Sequence, residues 1–264
     1  MSLDYPRLLA DLQAESDELT RRLQGLDGNR WALETPARGW SIQDQVSHLA
    51  FFDDAAVLAL TRPDEFGTQA AALIAGGMDF PDRLAEQYRS LAPMASLQWF
   101  REARRTLLAT LGTDDPKRRI PWFGPDMSVA SCATARLMET WAHGHDIYDT
   151  VHTPHPASPG LRSIAHLGVA TFAFSHIHHG LDVPTEPVRI ELRAPSGAQW
   201  EWGPSDADDT VSGDAEDFVL VVTQRRHWTE TGLAVRGPVA TGWLDIAQAY
   251  AGAASRRSPG AVQR

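Results

Sequence analysis

The segment Arg136-Leu-Met-Glu139-Thr-Trp-Ala-His143-Gly-His145-Asp146 concentrates groups able to do acid–base or metal chemistry. On a helix, residues i and i+4 project from one face. Glu139 and His143 therefore point the same way, and a carboxylate oxygen and an imidazole nitrogen can meet one ion. At about 100° per residue, Glu139 and His143 lie about 40° apart, whereas His145 lies about 160° from His143. Both histidines cannot ligate from one regular helix. His143 is the candidate, because Glu139, Arg136 and Cys132 share its stripe. Alone, the Glu-x-x-x-His spacing also describes an ordinary charged helix face. A second piece is His48, in Trp40-Ser-Ile-Gln-Asp-Gln-Val-Ser-His48. It sits at the edge of an apolar stripe, where a hydrogen-bonded core histidine is equally at home. Two helices of a bundle can direct one His and one Glu/His pair at a shared point. Three protein ligands with an open fourth position is the arrangement of a catalytic rather than a structural zinc. Mixed nitrogen and oxygen ligands also suit nickel, iron or manganese.

These residues need helices to position them, and the pattern supplies them. Leu9, Leu12, Leu19 and Leu23 share one face of a first helix, with the small Ser16 between them. Ser41 reads as an N-cap with Asp44 as its capping-box acid, and the helix after it carries Ile42, Val46, Leu49, Ala56 and Leu60 on one side. Shorter helical pieces follow over residues 64–94, broken at Gly76-Gly77. A helix spans about Ser96 to Leu111, and a loop covers Gly112–Pro125 with the apolar tip Pro121-Trp122-Phe123. Ser128 caps the helix carrying Glu139 and His143, and Ser158-Pro159 opens another that Gly180 closes. Its end holds His176-Ile-His178-His179, which reads as a solvated terminus or an i,i+3 metal pair. After Pro187 the period changes to that of strands: Val188, Ile190 and Leu192 alternate with charges, and Trp200 and Trp202 alternate likewise. Thr210–Gly213 and Leu233–Val235 read as further strands, Asp214 caps a helix, and Gly242–Ala251 reads as a last one. The boundary falls near residue 183, with the Pro/His stretch near 155 as the earlier alternative.

Composition bounds what such a chain can be. Of 264 residues, 43% are hydrophobic and 22% charged, an ordinary globular profile. The net charge of −10 comes with no basic face, which argues against nucleic acid as partner. Arg101–Arg105, Lys117–Arg119 and Arg225–Arg226 are short and sit among acids or apolar residues. With Cys132 the only cysteine, no intrachain disulfide can form, and a reducing compartment is expected. Met1-Ser2-Leu3-Asp4-Tyr5 lacks the features of a signal peptide, and no apolar run approaches the ~20 residues that span a bilayer. A cytoplasmic protein without membrane contact is expected. The polar tail from Ser255 is expected to fray.

On these residues the chain resembles the DinB-like metal-dependent bundle proteins, specifically the mycothiol-dependent maleylpyruvate isomerase family. The resemblance rests on Trp-Ser-x-x-Asp-x-x-x-His ending at His48, and on Glu139-x-x-x-His143 about 90 residues later and followed by Asp146. It extends to Asp209-Thr210-Val211-Ser212-Gly213, the Phe218–Arg226 segment and Ala247-Gln248-Ala249-Tyr250-Ala251-Gly252, which look like the family's sterol-carrier-protein-like C-terminal domain. It implies an α+β fold: an up-down four-helix bundle over 1–182, a small α/β domain over 183–255, and a tail over 256–264. It further implies one zinc held by His48, Glu139 and His143, mycothiol as thiol cosubstrate, and an arginine of the second domain near the active site. Arg225 and Arg226 both match that arginine. In the implied reaction a thiolate adds to the double bond of a small carboxylate-bearing substrate, rotation follows, and elimination leaves the trans isomer. Asp146 is carried as a catalytic candidate, as base or as partner of a ligand. Two other readings stay open: a different metal-dependent reaction such as hydrolysis or a tailoring step, and a non-catalytic protein that binds a metal or small ligand.

Overall fold

The structure, a computed structural model, describes residues 4–260. Met1, Ser2 and Leu3, and the last four positions of the tail, 261–264, lie outside the described residues. The chain forms two compact units, the first ending at Ser158 and the second starting at Pro159. It is α+β: a helical first unit, then a second unit with a small sheet.

In the first unit, α1 (Tyr5–Gln24) starts where the Asp4 side chain accepts from the Arg7 amide. It buries Leu8, Leu12, Ser16, Leu19 and Leu23 along one face. A 3-10 turn, Gly28–Ala32, leads to α2 (Ile42–Thr61). Ser41 caps α2 reciprocally with Asp44, each side chain accepting from the other's backbone amide, which satisfies two of the helix's orphan donors. Then come α3 (Pro63–Ala75), α4 (Phe80–Tyr88) and α5 (Pro93–Gly112), each begun by a proline in its first turn, where a missing N–H costs nothing. The expected loop before Ser128 contains a short antiparallel pair, β1 (Arg119–Ile120) and β2 (Met127–Ser128). Helix α6 (Val129–Thr150) follows, capped by Ser128.

Helices α1, α2, α5 and α6 form the bundle, α2 and α1 each packing against both α5 and α6. Its core joins Leu19, Leu23, Trp31, Ile42, Val46, Leu49, Leu97, Phe100 and Ile147. A second apolar cluster holds Phe52, Phe80 and Leu84, with Trp122 and Phe123 of the loop tip packed against it. Among the described residues no helix is long and apolar enough to cross a membrane.

The second unit begins with α7 (Leu161–Ala170) and α8 (Phe172–His178). One helix was expected here; the chain breaks it at Thr171, whose hydroxyl bonds back to the carbonyls of Leu167 and Gly168. Strands β3 (Val188–Arg193), β4 (Gln199–Trp202), β5 (Asp209–Asp214) and β6 (Ala234–Arg236) form one sheet in the order β4-β3-β5-β6. Strands β3 and β5 run parallel and the other pairs antiparallel. Helix α9 (Ala215–Val222) packs on α7, where a Cβ on Gly168 would come within 2.7 Å of Val222. That packing places α7 in the second unit and the division at 158/159, close to the earlier alternative near 155 and before the expected 182/183.

The expected helix over Gly242–Ala251 is displaced. Pro238 opens α10 (Pro238–Leu244), and the chain beyond it is irregular, with Ala249 N–H donating to the Val222 carbonyl and Gln248 N–H to the Ser175 hydroxyl. The described part of the tail makes hydrogen bonds to the second unit. Ser255 bonds to Gln224 and Gln248, and the Gly260 amide donates to Glu230.

Candidate metal centre

Helix α2 carries His48 one turn beyond Asp44, on the stripe that continues to Phe52. Helix α6 carries Glu139 and His143 one turn apart. The two helices pack together, and the three side chains meet: one ligand atom from each lies within 4.8 Å of the others. His143 Nε2 is 3.0 Å from Glu139 Oε2, and His48 Nε2 is 3.7 Å from the same oxygen. The two imidazole rings stand 4.5 Å apart, centroid to centroid. All three side chains are mostly shielded, at 12%, 20% and 10% exposure for His48, Glu139 and His143.

The electrostatics follow from that shielding. Burial, with the neighbouring His143, pushes His48 down to about 4 against the opposing pull of Glu139, so it is a neutral nitrogen donor at pH 7. Burial alone would raise Glu139, but its hydrogen bonds and charge interactions with His143 and His48 outweigh this and hold it well below the usual carboxylate range. A neutral histidine nitrogen and a carboxylate oxygen both present lone pairs. Facing each other at 3.0 Å, they call for a positive charge between them, a proton or a metal ion. His48 Nδ1 is buried with no hydrogen-bond partner, so the ring's polar contact is with the centre and not with the core around it. The donor set of two imidazoles and one carboxylate therefore fits a divalent ion such as zinc.

Aromatic rings wall the centre. Trp40 stacks on His143 at 5.9 Å and 15°, and lies 5.1 Å from His48. Its indole N–H donates to Asp82 Oδ1 at 2.7 Å. Phe52 lies 4.5 Å from His48 and is itself packed by Phe80, Trp122 and Phe123. Trp40 also lines a surface cleft of about 440 Å³, whose other walls include Glu34, Gln43, Asp44 and Arg89.

The remaining candidates fall elsewhere. Asp146 is fully buried, and its Oδ2 lies 3.5 Å from Gln45 Nε2, so its link to the centre runs through Gln45. Asp44 is consumed by its cap and by a bidentate pair with Arg89. Cys132 is buried and outside the metal cluster. His145 faces Trp141, His155 and Asp149. His176 is buried, its Nδ1 against the Phe172 carbonyl, which corrects the solvated helix end expected there. Among the described residues, the metal-capable cluster is His48, Glu139 and His143. Arg225 and Arg226 lie in the second unit just after α9, donating to the Thr223 and Arg225 carbonyls respectively.

Gln45 is the residue that sequence reasoning passed over. It is fully buried, and its Oε1 makes a short contact with His143 Nδ1. The signal was available: a buried-side amide one turn before the stripe of His48 has no reason to be polar unless something bonds it.

A family model described as the mycothiol maleylpyruvate isomerase N-terminal domain matches residues 12–148, and one described as wyosine base formation matches residues 184–235. Two uncharacterised proteins of Mycobacterium tuberculosis, from strains CDC 1551 / Oshkosh and H37Rv, are each 45% identical over 248 residues, covering 94% of this chain and 96% of their own. The crystal structure of a mycothiol-dependent maleylpyruvate isomerase has the same fold, with a TM-score of 0.59 at 16% identity over 90% of this chain and 96% of that one. A mutant of that enzyme gives the same TM-score at 15% identity. With more than half of its length matched by that first model, the chain belongs to the mycothiol maleylpyruvate isomerase N-terminal domain family.

Proposed function

We propose that the protein is a metal-dependent isomerase or S-transferase that uses a low-molecular-weight thiol, mycothiol, on a small carboxylate-bearing substrate. The observation that carries this reading is the convergence of His48 Nε2, His143 Nε2 and Glu139 Oε2 on one point inside an aromatic enclosure. Family membership supports a thiol as cosubstrate.

His48, Glu139 and His143 would hold one divalent ion, most simply zinc. When bound, such an ion lowers the pKa of a coordinated thiol and makes thiolate available near neutral pH. The side chains do the rest. His48 stays neutral and Glu139 charged, so one negative charge offsets part of the ion's two. Trp40 and Phe52 exclude water and fix the two histidine rings. The cleft beside Trp40 gives a polar ligand an approach to that wall. In the isomerisation a sulfur–carbon bond forms at the substrate's double bond, the resulting single bond rotates, and the same sulfur–carbon bond breaks. The thiol is regenerated and nothing is oxidised or reduced. An anionic substrate needs a cation, and Arg225 and Arg226 remain the candidates for that role, since their planar donors suit carboxylates. Asp146 is assigned to supporting Gln45, because its Oδ2 faces the Gln45 amide nitrogen at 3.5 Å.

The first test is elemental analysis of the purified protein beside a His48→Ala, Glu139→Ala, His143→Ala triple variant. About one zinc per chain, lost in the variant, is the expected result, followed by turnover of a cis-configured unsaturated diacid only when thiol is added. Equal metal in both proteins, or none in either, would remove the metal reading. Turnover without thiol would leave the centre and favour a hydrolytic role.

A further inference from the structure

Hydrogen-bond bookkeeping around Gln45 gives a chain of fixed polarity that ends on a ligand of the centre. The Thr35 hydroxyl has one proton, which it donates to the Trp40 carbonyl at 2.8 Å. Its lone pair is then what faces Gln45, and Gln45 Nε2 donates to it at 2.8 Å. The same amide nitrogen faces Asp146 Oδ2, an acceptor, at 3.5 Å. Both neighbours require the nitrogen of the Gln45 amide on that side. Its oxygen is thereby turned to His143 Nδ1 in a short contact. An amide oxygen only accepts, so His143 Nδ1 must carry the proton. Nε2, 3.0 Å from Glu139 and aimed at the point where the three ligands meet, is thereby the ring nitrogen that can offer a lone pair to an ion.

We infer that Gln45 is a positioning residue that fixes the tautomer and ring orientation of His143, with Thr35 and Asp146 fixing the orientation of Gln45 in turn. The device is asymmetric. His48 Nδ1 has no such partner, and its ring is held by contact with the Trp40, Phe52 and His143 rings and by Glu139 on its Nε2 side. His143 is thus the preorganised ligand and His48 the adaptable one. The chain of bonds also ties the centre to the loop before α2, because the Trp40 carbonyl that starts it belongs to the residue whose indole stacks on His143. Loss of a partner that orients a ligating histidine weakens metal binding by about 10- to 100-fold.

This inference rests on the metal reading for its consequence but not for its geometry, and the test separates the two. Histidine ring protonation is read from long-range nitrogen–proton correlation spectra of the metal-free and zinc-loaded protein. Zinc affinity is read by competition with a chromophoric chelator. In wild-type protein His143 Nδ1 is expected to be protonated, and slow to exchange, in both forms. Gln45→Met, of similar shape but without the acceptor, should lose the slow exchange and bind zinc about 10- to 100-fold more weakly. Thr35→Val removes one of the two partners that orient the Gln45 amide and leaves Asp146 as the other, and should weaken binding by less, in the same direction. An unprotonated His143 Nδ1 in the wild type would overturn the inference, as would a folded Gln45→Met protein with unchanged zinc affinity. If Gln45→Met does not fold, the wild-type metal-free spectrum decides, and an unprotonated His143 Nδ1 there overturns the inference. Wild-type protein that binds no zinc would sink the metal reading, while the metal-free spectra still decide the role of Gln45.

Discussion

Cys132 shares a helix face with Glu139 and His143, yet burial separates its chemistry from theirs. Burial pushes its thiol up to about 12, a rise that Asp53 reinforces and Arg136 partly opposes. A thiolate is the reactive form, so below that value the native side chain is protonated and inert. In the unfolded chain the thiol returns to its ordinary value near 9. At pH 8.5 iodoacetamide should therefore leave the folded protein unmodified and label the one cysteine rapidly in denaturant, as mass spectrometry would register. Rapid native labelling would mean that Cys132 is not buried as described. At this scale the sequence is legible where spacing decides. The four-residue step from Glu139 to His143 fixes a shared face, and two steps beyond it His145 is turned away. Gln45 is not legible in that manner, because what makes it matter is a contact with a residue 98 positions distant.

Among the elements, α1, α2, α5 and α6 are locked by one buried ionic network. Asp53 on α2, fully buried, accepts from Arg104 on α5 at 2.7 and 3.1 Å and from Arg136 on α6 at 3.0 Å. Arg104 also donates to Ser16 on α1 and, at 2.9 Å, to Thr140 on α6. Arg136 in turn lies over the Phe52 ring, which packs on His48. One carboxylate thus answers two buried guanidiniums. Removing it leaves both cations uncompensated in the core, where breaking a buried pair costs about 3–5 kcal/mol. Asp53→Asn, which keeps the volume, should lower the urea midpoint by that amount of stability without changing the slope of the transition. A loss within about 0.5 kcal/mol, as at an ordinary surface site, would show that the network contributes little. Periodicity announced each of these helices, because caps and apolar stripes are local. It did not announce their pairing through Asp53, since the partners lie 51 and 83 positions away in the chain. The same limit explains α7 and α8: an unbroken apolar pattern ran through Thr171, and only its non-helical backbone, at φ −88° and ψ 10°, marks the break.

At the scale of the whole molecule, the change from helical to strand period near residue 187 is a change of secondary structure and not of unit. Helix α7 presents Leu161, Ile164, Ala165 and Gly168 as its buried face, and packs that face on α9. Those residues belong to the second core although they are helical like the first unit, so a boundary read from period alone falls some 25 residues late. Truncation distinguishes the two boundaries. A fragment ending at Ser158 keeps all four bundle helices, the three candidate ligands, Gln45, Thr35 and Asp53, and it exposes no face that α9 would have covered. It should fold cooperatively, show the helical circular dichroism of a bundle, and bind zinc with the stoichiometry of the full chain. A fragment ending at 182 retains α7 and α8 without α9. It leaves the apolar side of α7 bare, and should be less soluble and bind a hydrophobic dye. Equal solubility and equal dye binding of the two fragments would show that α7 does not need the second core. A first-unit fragment that folds but takes up no metal would show that the centre depends on residues beyond Ser158, whereas full-chain stoichiometry would place everything needed to hold the ion within the bundle.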